Sequence, residues 1–598
     1  MNTARYYLDK PWVQYLVLTF LAAFAIYYWG WVFDFGYEFD WSVLFTFNQT
    51  YGEYLGLNLL KGLQVTVTIS LISAGIALLL GTLFGLGRLS GFKPFYLFST
   101  WYVEFFRNTP LLIQLFFWYF ALPKALPEVA RNLVFSLDYE FWSATLGLAI
   151  YTSSFMAEVI RAGVQSIPKG LLEAAYSSGL TYFQALRTVI LPLAFRAIIP
   201  PLGSEFLNNM KNSSLAMVVG VAELTWQSQQ IESLTFRGFE ATTGATILYL
   251  GLSLCISGIL NMINTRLRIE DVHKKGCLNY HLTGAMFWPF TQLWRFGILP
   301  ICRACAPPVD GLRMSPARQV WEAAKKGVFQ GLTWIAKGGF VVGLAYLLWK
   351  VGQGLLAFDW GVVVSHLDTL LIWRFPQTGG GEENFLWGLG GLSFSILMAV
   401  IAISVSFFIG LLVGLGRMSK NRILRVPCML YIEIIRGNPL LIVIFWVYFF
   451  LPIFINTYLN VFWSATIALT LFTGAYIAEI VRGGIQNIPP GQFEAAYGTG
   501  LSYWSTMRHV ILPQALKQMI PAIVGQFIAI FKDTSLAFVI GVLELTFVAQ
   551  GLNNRLMIYP FEIYTTVAAL YFICCYSMSI MARRLENKLT PASARMQM

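Results

Sequence analysis

The chain has 598 residues, of which 57% are hydrophobic, 16% aromatic and only 12% charged, which excludes an ordinary soluble domain and points to a polytopic membrane protein. Lys and Arg exceed Asp and Glu by 41 to 30, and the excess sits in short loops such as Arg266 to Lys275, Arg417 to Arg425 and Arg583 to Lys588. Such clusters read as cytoplasmic anchors facing membrane lipid, with no nucleic-acid surface among them.

The first apolar run begins near Trp12 and extends to about Val32. It exceeds the ~7–15 residues of a signal-peptide core and no small-residue cleavage site follows it, so a retained helix is expected. Hydropathy then predicts spans at about 63–86, 96–122, 142–160, 189–210 and 243–264, and again at about 392–415, 426–451, 463–482, 510–531 and 563–582.

The two sets are copies. Trp142-Ser-Ala-Thr145 recurs as Trp463-Ser-Ala-Thr466, and the same offset of 321 matches Ile167-Pro168 to Ile488-Pro489, Leu191-Pro192 to Leu512-Pro513 and Lys211 to Lys532. Earlier, Gly87-Arg88 pairs with Gly416-Arg417 and Glu104 with Glu433 at an offset of 329, so the second copy has eight fewer residues in the loop after Pro123. Five spans leave a module's ends on opposite sides of the membrane, and a direct fusion would invert the second copy. The segment Phe329 to Trp349 restores parity, as the helix near residues 12–32 does for the first copy. The expected fold is therefore all-α, with about twelve spans: two tandem five-helix modules, each preceded by one extra helix, with both termini and the linker in the cytoplasm. The expected boundaries are 1–55 for the first extra helix and its external loop, 56–268 for the first module and 269–327 for a cytoplasmic linker. They continue with 328–385 for the second extra helix and loop, 386–587 for the second module and 588–598 for a tail.

Between the third and fourth core spans lie two matching loops. The first reads Ile167-Pro-Lys-Gly-Leu-Leu-Glu173-Ala174-Ala175-Tyr-Ser-Ser-Gly179, the second Ile488-Pro-Pro-Gly-Gln-Phe-Glu494-Ala495-Ala496-Tyr-Gly-Thr-Gly500. Pro168 and Pro489 are suited to the first position of a helix, and Gly179 and Gly500 to a left-handed close. Thr181 with Gln184 offers a capping box for the helix that follows. Leu171, Leu172, Ala174, Ala175 and Tyr176 give the first helix more apolar surface than solvation needs, which suggests insertion into a partner's groove.

With Ile190-Leu-Pro192 and Ile511-Leu-Pro513 downstream, the Glu-Ala-Ala and Gly pattern resembles the signature cytoplasmic loop of permeases in bacterial ABC importers. Arg107-Asn108-Thr-Pro110 and Arg436-Gly-Asn438-Pro439 resemble the polar amino-acid branch of that group. The resemblance covers about residues 56–268 and 386–587. It implies that Glu173, Ala174, Ala175 and Gly179, and likewise Glu494, Ala495, Ala496 and Gly500, form coupling helices that dock on two ABC ATPase subunits. It also implies a periplasmic solute-binding protein, a place in the bacterial inner membrane, and polar L-amino acids as substrates, with glutamate, aspartate and their amides favoured. No Lys is followed by Ser or Thr, so a Walker A loop is absent. The chain is accordingly expected to bind no cofactor and to catalyse nothing, with ATP and Mg held by the partner.

Inside the second span of each module sit Glu104 with Arg107 and Glu433 with Arg436, at a spacing that allows an ion pair along one helix face. Asn108-Thr109-Pro110 and Asn438-Pro439 follow, and each proline interrupts the helix. Charges at membrane depth cost ~2.5–3.5 kcal/mol each, so these residues belong either to the substrate pathway or to a structural pair at a kink. Lys211 and Lys532 precede Asn-Ser-Ser-Leu-Ala and Asp-Thr-Ser-Leu-Ala, either a re-entrant turn on the pathway or an interfacial cap. Glu158 with Arg161 and Glu479 with Arg482 read as structural ties to the coupling loop.

The linker holds His273, Cys277, His281, Cys302 and Cys305. Their spacing is irregular for a zinc site, and none is expected. Twelve spans and a repeat also suit an ion-coupled secondary transporter, which differs in needing no ATPase.

Overall fold

A computed structural model of the chain describes residues 11–28, 36–49, 52–136, 138–180, 182–267, 316–372 and 389–589. The described residues are almost wholly helical, apart from a short ribbon that pairs Phe47–Asn48 with Glu53–Tyr54. The linker His and Cys residues and Thr181 lie outside them. Among the described residues no group of His, Cys, Asp and Glu is arranged to hold a metal.

The first half contains α1 (Pro11–Tyr27), α2 (Leu55–Gly87), α3 (Lys93–Asn108), α4 (Leu111–Phe116), α5 (Tyr139–Gln165), α6 (Lys169–Ser177), α7 (Leu191–Asn212), α8 (Leu224–Thr235) and α9 (Gly238–Leu267). The second half follows with α10 (Pro316–Ala357), α11 (Leu392–Arg417), α12 (Arg422–Gly437), α13 (Leu440–Ile455), α14 (Val461–Gln486), α15 (Pro490–Gly498), α16 (Leu512–Asp533), α17 (Leu545–Leu556) and α18 (Pro560–Leu589). Nine helices among the described residues are long and apolar enough to cross a membrane, and α12 with α13, bent by 112°, make a tenth. Ten of the twelve expected spans are accounted for in this way among the described residues. The two below full length are α1, with 17 residues, and the first module's second span, split into α3 and α4.

Close approach of the first and third spans organises each module. On α2, a methyl on Gly81 would lie 2.8 Å from Met156 Cβ, and one on Gly85 would lie 2.7 Å from the Ala157 carbonyl oxygen. On α11, methyls on Gly410 and Gly414 would lie 2.5 and 2.8 Å from Ile477 Cγ2 and the Ala478 carbonyl oxygen. Gly at i and i+4 gives a flat groove into which α5 or α14 sinks, and packing of this kind replaces the hydrophobic effect where lipid is the solvent.

The short helices α8 and α17 were not expected from hydropathy, because they are polar on most faces. Buried carboxylates fix them. Glu223 caps α8 by accepting from Trp226 N at 2.9 Å, and also accepts from Tyr249 Oη of α9 at 2.7 Å. Glu544 caps α17 in the same way, accepting from Phe547 N at 2.9 Å and from Tyr571 Oη of α18 at 3.0 Å. Thr66 and Ser395 complete the two knots by accepting from Leu224 N and Leu545 N.

The extra helices cross over. α1 precedes the first module but packs on α12 of the second, where Arg422 N donates to Gln14 at 3.0 Å and the Arg422 guanidinium lies 4.6 Å from the Tyr15 ring. α10 precedes the second module but packs on α3 of the first, with Phe340 against Phe92, Phe95 and Phe98. At the centre, Leu112, Leu115 and Phe116 share one buried apolar cluster with Leu441, Ile444 and Phe445 of α13.

Gly85→Ile or Gly414→Ile should overpack the span contact and cost about 1–3 kcal/mol. Gly75→Ala, where a methyl meets nothing within 4 Å, should be neutral or slightly stabilising. Thermal unfolding of the detergent-solubilised chain checks both, and equal effects at the two kinds of site would contradict the packing account.

Candidate functional site

The second span of each module is broken at its middle. Helix α3 ends at Asn108, and Thr109 and Pro110 are extended at ψ near 142° before α4 begins. Asn438 and Pro439 do the same between α12 and α13. A helix that stops at membrane depth leaves its last carbonyls without backbone donors, a cost that must be met by side chains. Asn108 Nδ2 donates to the Glu104 carbonyl at 2.7 Å, Thr109 Oγ1 to that of Phe105 at 3.2 Å and Gln114 Nε2 to that of Phe106 at 3.0 Å. The Arg107 carbonyl accepts from Lys532 Nζ of the other module at 2.9 Å. The reciprocal bond runs from Lys211 Nζ to the Arg436 carbonyl. Ser253 of α9 donates to the Gly437 carbonyl at 2.6 Å, and Ser579 of α18 to Asn108 Oδ1 at 3.2 Å. Thus each module caps the other's broken helix.

The ion pair expected between Glu104 and Arg107 is not formed, nor that between Glu433 and Arg436. Carboxylates of the third span compete for these guanidiniums. Glu158 accepts from Arg88 at 2.5 Å and from Arg161 Nε at 3.1 Å, with Arg107 at 4.0 Å. Glu479 gathers Arg417 at 2.9 Å, Arg482 Nε at 3.1 Å and Arg436 at 3.7 Å. Glu104 turns instead to Arg88 and Arg583 at 3.7 and 3.5 Å, and Glu433 to Arg417 at 2.9 Å. Glu158 with Arg161 and Glu479 with Arg482 are paired as the sequence suggested.

Beside the exchanged lysines a cavity of about 300 Å³ lies between the modules. Its walls include Tyr151, Glu205, Asn208 and Lys211 from the first module, and Tyr476, Gln526, Lys532 and Asp533 from the second. Arg107 and Arg436 flank it, their guanidiniums 5.4 and 5.1 Å from the rings of Phe155 and Tyr476. The turns after the lysines are 3-10 helices, Ser213–Val219 and Thr534–Ile540, each closed by a left-handed Gly, and Ser214, Leu215, Ser535 and Leu536 line the cavity. Asn212 and Asp533 stand in the motifs that follow the two lysines, but Glu205, Asn208 and Gln526 were not singled out from sequence. Their polar stripe at helical spacing on an apolar span was the available signal.

The paired loops form α6 and α15. Their closing Gly179 and Gly500 have φ of +78° and +80°, and Leu180 N and Leu501 N reach back to the Ala175 and Ala496 carbonyls at 3.1 and 3.2 Å, a Schellman close. Glu173, Ala174, Glu494 and Ala495 are exposed, whereas Ala175 and Ala496 are buried against the bundle. Pro168 and Pro489 occupy the N-cap instead of the first helical position, because their ψ values of 132° and 136° are extended.

Residues 77–269 and 406–591 each match the family described as binding-protein-dependent transport system inner membrane component. The chain belongs to this family. A probable glutamine ABC transporter permease protein GlnP of Bacillus subtilis is 43% identical over 208 residues, covering 34% of the chain and 94% of that protein. The glutamate/aspartate import permease protein GltJ of Escherichia coli is 34% identical over 238 residues, covering 39% of the chain and 96% of its own length. A crystal structure of an amino acid ABC transporter with histidines shares 33% identity, covers 33% of the chain and 92% of its own, and has a TM-score of 0.31. As a fused pair of such permeases, the chain is a multi-pass protein of the cytoplasmic membrane that translocates without hydrolysing ATP itself.

The carboxylates of Glu158 and Glu479 each face three guanidiniums in this permease, so neutralising one leaves several like charges uncompensated. Glu158→Gln or Glu479→Gln should cost about 1–3 kcal/mol. Glu433, with its side chain 54% exposed and a single Arg partner, should cost under about 1 kcal/mol as Gln. Comparative thermal unfolding measures the difference, and a Glu433 effect as large as the others would remove the hub role.

Proposed function

We propose that the chain is the translocating subunit of an ATP-driven importer of polar L-amino acids, with glutamate, aspartate and their amides favoured. The observation that carries this reading is the polar cavity between the modules, closed by lysines that each module lends to the other. An amino acid brings at least one carboxylate and one ammonium, each of which needs a partner where water is scarce. Lys211, Lys532, Glu205 and Asp533 offer both signs, and similarity to glutamine and glutamate/aspartate permeases supports the substrate class.

Two ATPase subunits carrying ATP and Mg would dock on α6 and α15, and a periplasmic solute-binding protein would deliver substrate from the opposite face. The exposed Leu171, Tyr176 and Tyr497 support such a contact on each loop. Residues 56–268 and 386–587 act as the two permease modules. Each ATP-driven closure would move α6 and α15 together and reset the pathway.

Arg107 and Arg436 are assigned to carboxylate handling. Each is the most distant guanidinium around its glutamate, and a planar fork suits a carboxylate bidentately. Arg107→Lys and Arg436→Lys keep the charge but lose the fork, so uptake by the reconstituted complex should fall about tenfold while the complex still assembles. Unchanged uptake in both variants would leave these residues a structural role only.

The coupling assignment has a separate test. At φ near +80° a side chain is strained, and the exposed Gly179 and Gly500 have open space around them. Gly179→Asp combined with Gly500→Asp should leave the chain in the membrane and abolish ATP-dependent uptake. Persisting uptake, or uptake driven by membrane potential without an ATPase, would favour an ion-coupled carrier.

A further inference from the structure

We propose that the outer end of the first module holds a second small-molecule site, for a zwitterionic amino acid, that the second module lacks. The proposal rests on the reading of the chain as an amino-acid permease. A cavity of about 830 Å³ opens between the first turns of α2 and the start of α5, within the ~300–1,000 Å³ range of small-molecule pockets. Lys61, Gln64 and Thr68 line one wall, and Asp138 and Glu140 another. A cation and a pair of carboxylates in one chamber match the carboxylate and ammonium of a free amino acid.

The place of the chamber ties it to transport. Its floor is the end of the turn Ser213–Val219, through Val218, Val219 and Gly220, while Ser214 and Leu215 of the same turn line the central cavity. A single turn of 3-10 helix therefore separates the two chambers. Glu140 packs over that floor, its Cγ 3.5 Å from where a methyl on Gly220 would lie.

The second module supplies an internal control. At the positions of Lys61, Val65, Thr68, Asp138 and Glu140 it carries Gly390, Phe394, Leu397, Leu459 and Val461. Phe394 lies 4.7 Å from Phe462, and Phe394, Leu397 and Val461 pack against the apolar core. The same turn, with the same left-handed Gly541, thus forms without any of these charges. The turn is therefore built without them; Asp138 caps α5 at Phe141 N and Lys61 donates to Asn58 Oδ1 at 3.0 Å, and the remaining donor and acceptor capacity of these exposed groups faces the chamber.

The test counts sites on the full chain in lipid nanodiscs, using radiolabelled L-glutamine, L-glutamate and L-cystine in separate titrations. Wild type should bind two molecules per chain of at least one probe. Lys61→Met with Asp138→Ser and Glu140→Gln should retain one and weaken the other at least about tenfold. Ser keeps the α5 cap that Asp138 provides at Phe141 N. Val65→Phe with Thr68→Leu copies the second module, leaves every charge in place, and should also reduce two sites to one. Monodisperse elution establishes that each variant is folded. One site in wild type, or two sites in both variants, overturns the proposal while leaving the amino-acid reading intact. No binding of any probe together with no uptake overturns both. A lipid headgroup with the same zwitterionic chemistry is the other source. If phosphatidylethanolamine co-purifies with wild type but not the variants, and amino-acid stoichiometry is unchanged between them, the site belongs to lipid and the proposal fails.

Discussion

A helix cannot stop inside a bilayer without leaving carbonyl groups that water does not reach, and the architecture of this permease follows from how those groups are satisfied. At the end of α3, local side chains of Asn108, Thr109 and Gln114 take three carbonyls, and that of Arg107 is met by Lys532 from the other module. At the end of α12, Lys211 and Ser253 of the first module serve the Arg436 and Gly437 carbonyls. The ammonium also sits at the negative end of the helix dipole, where a cation is stabilised. Neither module is complete alone. A break in one half is closed by a side chain of the other, so module pairing and the shape of the central cavity are one constraint.

Reciprocity extends outward from that pair of bonds. The extra helices cross to the opposite module, α1 to α12 and α10 to α3, so each reaches the outer surface of the broken span it helps to position. Trp446 of the second module donates to Thr246 of the first at 2.8 Å, and Phe105 of the first meets Phe572 of the second at 5.7 Å. Fusion keeps the two halves at high effective concentration, adding to an interface that combines these polar bonds with the apolar cluster at the centre. The arginine fans complete the frame. Glu158 and Glu479 each bind a guanidinium from the first span's end, one from the broken helix and one from their own helix, tying three spans just before the loop that begins at Pro168 or Pro489.

The all-α architecture, the repeat and the breaks at Pro110 and Pro439 were legible because each rests on local signals: apolar length, exact recurrence and the backbone limits of Pro. The left-handed Gly179 and Gly500 were legible for the same reason. The partners of Glu104 and Arg107 were not. Spacing of i and i+3 makes an ion pair sterically available, but the choice among carboxylates depends on which helix packs alongside, and Glu158 wins by its place on α5. The helices α8 and α17 escaped notice because a buried Glu at the N-cap, not hydropathy, creates them, and the burial of Glu223 depends on Tyr249 reaching it from α9. Cross-module bonds from Lys211 and Lys532 link residues 225 and 425 apart in sequence, beyond any local signal.

Repetition in one chain also frees the two copies to differ, and the central cavity shows where they do. Glu205 of the first module is matched by Gln526 in the second, and Asn212 is matched by Asp533. Two identical subunits would place either two carboxylates or none at each position. In a water-poor chamber, paired carboxylates repel, and one of them takes up a proton. Here each module supplies one carboxylate from a different site on the same helix, beside two lysine ammoniums. Near-balanced charge is reached without a symmetric clash, and the same freedom leaves Lys61, Asp138 and Glu140 on one side only. The outer face of the first module and its wall of the central cavity differ in charge from the corresponding positions of the second, while the turn between them and the lysine that precedes it are retained in both. Symmetry is thus kept where one half must close the other's broken helix, and it is lost where polar groups face the open chambers.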